Sequence, residues 1–175
     1  MARTIALCKF VGTISLGLLT GVSYTLSTSA LPALLELPTA VHGYTTFLSM
    51  QYAAKRHVRL LTATAVSTLS LAFILSPPRA RHPYLLWTSL VAAAGGAGVD
   101  YAMRRQNGDS ETGAPDDNGS ANAERSWVDL EKGEDVNGEM VRNGVERFRI
   151  AEGARAAING LAFTLGVIGI WGDGA

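Results

Sequence analysis

Residues 60–101 read LLTATAVSTLSLAFILSPPRARHPYLLWTSLVAAAGGAGVDY, and this stretch decides the fold. Residues 60–75 carry no charge; Pro77, Pro78 and Pro83 then bracket Arg79, Arg81 and His82, and a second apolar run follows over 84–101. Prolines cannot continue a helix and push the residues before them out of helical conformation. The stretch therefore reads as two apolar helices joined by a tight hairpin. At about 1.5 Å per residue, sixteen residues rise about 24 Å against a hydrocarbon core of about 30 Å. The bilayer must be thin, or Arg59 must snorkel toward the headgroups.

Upstream of the hairpin, Lys55, Arg56, His57 and Arg59 form a basic collar at headgroup level. Before it, residues 32–57 are of mixed polarity, with Val41, Tyr44, Leu48 and Tyr52 at helical spacing, either lying on a membrane surface or extending the next helix inward. A further uncharged run, 10–30, is long enough to span a bilayer. Its small residues Ser27 to Ala30 also fit a signal-cleavage site, but the run exceeds the usual 7 to 15 residue signal core, which favours a retained helix. Gly17 and Gly21 form a GxxxG pair suited to close helix approach, and glycines simply tolerated in a membrane helix give the same pattern. Ala92 with Gly96, and Ala94 with Gly98, repeat the spacing in the third run.

Downstream, Arg104 and Arg105 close the third span, and the composition changes sign. Residues 107–139 hold ten acids and two bases among many Gly, Asn and Ser, with Trp127 the one aromatic. Such a segment cannot bury enough apolar surface to offset the entropy of ordering it, so residues 104–140 are expected to be a disordered acidic loop. Beyond it, Val141, Val145 and Phe148 mark one face of a basic juxtamembrane helix, on which Arg142 and Glu146 are spaced to pair. Arg155 closes the basic stretch, and a fourth span runs over 156–171 with Trp171 as interface anchor. The predicted fold is an all-α membrane protein of about four short transmembrane helices: 10–30, 60–75, 84–101 and 156–171. The loop separates the third from the fourth, and residues 141–175 form the juxtamembrane helix and last span. An even number of spans puts both termini on one side. Eight bases near the first and third loops outnumber four at the N-terminus and hairpin, so the positive-inside rule places the acidic loop in the cytosol.

The residues offer little chemistry. One cysteine, Cys8, excludes an internal disulfide framework, and His42, His57 and His82 are too scattered for a metal site. There is no GxSxG, HExxH, CxxC or phosphate-cradling glycine loop. No catalytic residue, cofactor or metal ligand is expected, nor any nucleic-acid partner. Asp100 and Asn159 fall near span ends, away from the midplane position that marks a transport path.

Trp127-Val128-Asp129-Leu130 is the exception. An aromatic and an aliphatic residue three apart, flanked by Glu124 and Glu131 in an acidic segment, match an Atg8-family docking motif. An extended peptide adds to a sheet edge, its two apolar side chains fill separate pockets, and the acids meet a basic rim. The alternative is that Trp127 and Leu130 pack locally or touch the bilayer; Trp87-Thr88-Ser89-Leu90 has the same pattern inside a span. Ser126 with Asp129 three residues on suits an acidophilic kinase, and equally a helix N-cap. Asn118-Gly119-Ser120 is a glycosylation sequon that matters only in a lumenal loop.

Pro77-Pro78, Arg81-His82-Pro83-Tyr84-Leu85-Leu86 and the run from Gly166 to Gly174 (GVIGIWGDG) carry a family likeness; Val136-Asn137-Gly138-Glu139 adds to it. Through them the chain resembles the fungal autophagy-related protein 33 family. That resemblance implies a multi-span mitochondrial outer-membrane protein needed for selective autophagy of mitochondria, mitophagy, without enzymatic activity. It implies partners in the lipid bilayer and the autophagy machinery, with Atg8-family proteins proposed from the loop alone. The competing reading is a non-catalytic scaffold of the mitochondrial outer membrane or endoplasmic reticulum, a homo-oligomer assembling through Gly17, Gly21, Ala92 and Gly96.

Overall fold

The computed structural model describes residues 2–35, 40–76, 82–108 and 138–172. Helix α1 (Ala2–Thr25) runs through a π-helical turn (Leu26–Ala30) into α2 (Leu31–Leu35). Helix α3 (Ala40–Leu75) follows. Beyond the hairpin, α4 (Tyr84–Ala93) passes through a second π turn (Ala94–Gly98) into α5 (Val99–Gly108), and α6 (Gly138–Gly172) completes the described chain. No strand occurs among the described residues. The 36 residues of α3 rise about 54 Å, well beyond a hydrocarbon core of about 30 Å.

Helix ends follow the local sequence. Ser76 closes α3 by donating both its backbone N–H and its hydroxyl to the Ala72 carbonyl. Pro83, whose ring fixes φ near the helical value, sits at −63° as the N-cap of α4 and receives the N–H of Trp87 on its carbonyl. Hydroxyls within the apolar helices bond back one turn, as Thr13 does to Lys9, Thr20 to Leu16, Thr68 to Thr64 and Thr164 to Gly160. This satisfies many of the Ser and Thr side chains without water, though Ser23, Thr62 and Thr88 keep buried hydroxyls without a partner.

Helix α1 packs on α3 and α6, and α4 packs on the same two, giving a four-helix bundle with α1 and α4 at opposite corners. Close approaches fix an antiparallel register: Gly12 faces Leu69 of α3, Gly17 faces Phe163 of α6, Gly96 faces Thr62 of α3, and Gly169 lies against the Tyr84 ring. Two apolar cores result. One joins Leu16, Leu69, Leu85, Ala92 and Ala162; the other, toward the end where α5 stops and α6 starts, joins Leu31, Leu34, Phe47, Ala54, Val145 and Phe148. In the second, the Phe47 and Phe148 rings meet edge to face at 5.9 Å.

The outside is patterned along the same axis. Around the first core, Leu7, Phe10, Leu18, Leu60, Ile74, Trp87, Leu90, Leu165 and Trp171 all point outward, forming an apolar belt. Around the second, Lys55, Arg56, Arg142, Glu146, Arg147 and Arg149 are exposed instead. Three helices are long and apolar enough to cross a membrane: Arg3–Leu35, Gly43–Leu75 and Arg142–Gly172. The run from Tyr84 is not among them, because its Gly-rich half and Asp100 dilute its apolar character.

Several local expectations shift. Residues 40–59 extend the second helix, and the buried face is Gly43, Phe47, Ala54 and Val58, while Tyr52 is exposed. The pairing of Phe47 with Phe148 turns that face inward. Glu146 bonds to Arg149, one turn ahead, at 3.4 Å. The residues 27–30 considered for signal cleavage lie in continuous helix between α1 and α2. In the expected disordered loop, residues 109–137 are outside the described residues, while 104–108 end α5 and 138–140 begin α6.

Candidate functional site

Between the two apolar cores lies a polar layer built on α6. Glu152, Arg155 and Asn159 recur at three- and four-residue spacing, so they share one helix face, and all three are buried. The face points at the α4–α5 corner. Arg155 Nη2 donates to Asp100 Oδ1 of α5 at 2.5 Å, Arg155 Nη1 donates to Glu152 Oε1, and Arg155 Nε donates to the Gly95 carbonyl at 3.3 Å. Asn159 Nδ2 donates to the Arg155 carbonyl at 3.0 Å, which holds its side chain along the helix.

Glycine makes this approach feasible. A Cβ on Gly95 would lie 2.6 Å from Asn159 Oδ1, and one on Gly96 would lie 2.5 Å from Thr62 Cγ2 of α3. Both glycines belong to the π turn Ala94–Gly98, a widened turn of the kind that often accompanies functional sites. Glu152 Oε2, Asn159 Oδ1 and Thr62 Oγ1 are buried without a hydrogen-bond partner. The layer thus holds one guanidinium between two carboxylates, at the edge of the apolar belt rather than at its centre.

Immediately beyond the layer, a pocket of about 300 Å³ opens between α3, α5 and α6. Its floor carries Arg155 and Asp100. Its walls carry Lys55 and Arg59 from α3 and Arg147 from α6, with the Phe47 and Phe148 rings behind.

The structure treats the residues singled out in the sequence differently. Gly17 lies against Phe163 of α6, and Ala92 and Gly96 are buried at the α4 corner. Gly21 meets nothing within 4 Å, and lines a groove between α1 and α6. The small-residue approach to α6 falls at Gly95, whereas Gly98 meets only Ala94 of its own turn. Glu124, Ser126, Trp127, Val128, Asp129, Leu130 and Glu131 lie outside the described residues, as does Asn118. Arg155, read from sequence as the end of a basic stretch, is 2% exposed, and Asp100 with Asn159 belongs to its surroundings. The missed signal was the stripe Glu152, Arg155 and Asn159 facing a glycine pair. Three polar residues on one face at the start of an apolar run require a polar partner, and only the tertiary pairing identifies it.

The comparisons cover nearly the whole chain. The family model described as "Autophagy-related protein 33" matches residues 1–173. Autophagy-related protein 33 of Gibberella zeae is 41% identical over 191 aligned positions, covering 98% of this chain and 93% of that protein. No solved structure matches. With an all-helical bundle, an apolar belt and a family match from end to end, the chain belongs to the autophagy-related protein 33 family.

Proposed function

We propose that this protein is a multi-span mitochondrial outer-membrane protein acting in mitophagy, with the acidic segment 107–139 presented to the cytosol to recruit autophagy machinery. The family supplies the autophagy role. The observation that carries the membrane part is the outward-facing apolar belt around one core, ended by a charged layer. All four helical corners line that belt, so the Tyr84–Gly108 run crosses beside the three more apolar helices even though it is less apolar itself. The acidic segment joins the end of α5 to the start of α6, both on the basic side of the bundle. It therefore leaves and re-enters beyond the headgroups, where a soluble partner can reach it.

Trp127 and Leu130 are the proposed anchors for an Atg8-family protein, with Glu124, Asp129 and Glu131 meeting its basic rim and Ser126 as a site where phosphate would add about −1.5 to −2 charge. A pull-down of purified Atg8 by the 107–139 peptide, against the same peptide with Trp127→Ala and Leu130→Ala, tests this. Loss of retention in the variant is expected, and equal retention contradicts the docking role.

A second reading is favoured by Gly21, whose face is open beside the groove between α1 and α6. A second copy approaching there would make the protein a small-residue-driven scaffold. Deleting residues 107–139 separates the two: a scaffold keeps its function, and a recruiter loses it.

A further inference from the structure

We propose that the pocket between α3, α5 and α6 binds the phosphate headgroup of an anionic phospholipid. Three observations converge there. First, the lining is basic: Lys55, Arg59, Arg147 and Arg155 against a single acid, Asp100. Among the described residues, counting the buried Glu152 behind Arg155 still leaves an excess of two positive charges. Second, the pocket has the volume of a site, about 300 Å³, near the lower size of small-ligand cavities. Its floor is preset, because Asp100, Glu152 and the Gly95 carbonyl hold the Arg155 guanidinium in one orientation.

Third, its height is right for a lipid and wrong for most soluble ligands. Arg59 directly precedes Leu60, which with Tyr101 is exposed at this end of the apolar belt. A phosphate at Arg59 and Arg147 therefore lies at the hydrocarbon boundary, with acyl chains running down the belt. Just below, a second groove between α3 and the α4–α5 corner is lined by Val58, Thr62, Val66, Ala97 and Tyr101 and shares Arg59 and Asp100 with the pocket. That apolar track continues from the headgroup position into the belt, as a bound diacyl lipid requires. Basic pockets between membrane helices at this depth recognise anionic headgroups by charge and hydrogen bonding.

The test uses the full-length protein purified in detergent. Native mass spectrometry reads lipid retained after exposure to phosphatidylcholine alone, or to phosphatidylcholine doped with phosphatidylinositol. A parallel arm offers inorganic phosphate and reads thermal stabilisation. The expected result is one retained phosphatidylinositol, no comparable retention of phosphatidylcholine, and no matching stabilisation by phosphate. Lys55→Gln with Arg147→Gln should lower retention roughly tenfold or more. Lys55→Arg with Arg147→Lys should keep it. Arg56→Gln with Arg142→Gln removes the same charge from exposed positions outside the pocket and should keep it as well. Equal loss in both glutamine pairs, or equal retention of the two lipids, overturns the site. Phosphate stabilising as strongly as the lipid overturns its assignment to a headgroup.

Discussion

Asp100 Oδ1 of α5 accepts from Arg155 Nη2 of α6 at 2.5 Å, across 55 residues of sequence that include the whole acidic segment. The pair ties the two helices that hold the ends of that segment. Its energetic weight comes less from attraction than from what is left when one member goes: a charge out of water with no partner.

Arg155→Leu should therefore be strongly destabilising, by about 3–5 kcal/mol, because Glu152 is left fully buried without its ion-pair partner. Adding Glu152→Leu should recover most of the loss, since Asp100 is about a third exposed and can hydrate. Denaturant unfolding in micelles, followed by circular dichroism, measures both. Additive losses would contradict a coupled layer.

Glycines along the bundle should differ sharply in tolerance. Gly95→Val and Gly96→Val force Asn159 or Thr62 out of place and should cost about 1–3 kcal/mol, as overpacking does. Gly21→Ala meets open space and should be neutral or stabilising by up to about 1 kcal/mol through helix propensity. Thermal midpoints of the three variants in one detergent make the comparison.

Position along the bundle should decide the effect of a new charge. Leu90 and Leu165 are exposed in the apolar belt, and Tyr52 and Ile150 are exposed beyond the polar layer. Leu165→Lys or Leu90→Lys should impair insertion by about 2.5–3.5 kcal/mol if placed near the bilayer centre. Ile150→Lys and Tyr52→Lys should insert normally. Alkaline extraction of membranes separates the inserted fraction from the rest.

The end beyond the polar layer should behave as packed structure. Phe47→Ala and Phe148→Ala should each cost about 3–5 kcal/mol. A double-mutant cycle should return a coupling of about 0.5–1.5 kcal/mol for the edge-to-face pair.

The sequence made the apolar helices legible because uncharged length is a one-dimensional property: the runs ending at Leu75 and beginning at Tyr84, with prolines between, need no partner to be recognised. Helix faces were harder. Tyr44, Leu48 and Tyr52 recur at helical spacing, as do Gly43, Phe47, Ala54 and Val58, and only the Phe148 ring selects the second set. The polar layer was hidden for the same reason. Arg155 resembles its basic neighbours Arg147 and Arg149 until Asp100 and Gly95 are brought against it. The proposed docking motif around Trp127 is legible only as a pattern, an aromatic and an aliphatic residue three apart in an acidic segment, and it lies outside the described residues.

The central claim is that the acidic segment stands on the cytosolic side of the mitochondrial outer membrane. Its most direct test is an epitope tag placed within residues 107–139 of the full-length protein, with protease added to intact mitochondria. Digestion of the tag from outside, while an intermembrane-space marker survives, is the predicted result. Protection of the tag until the outer membrane is ruptured would contradict it.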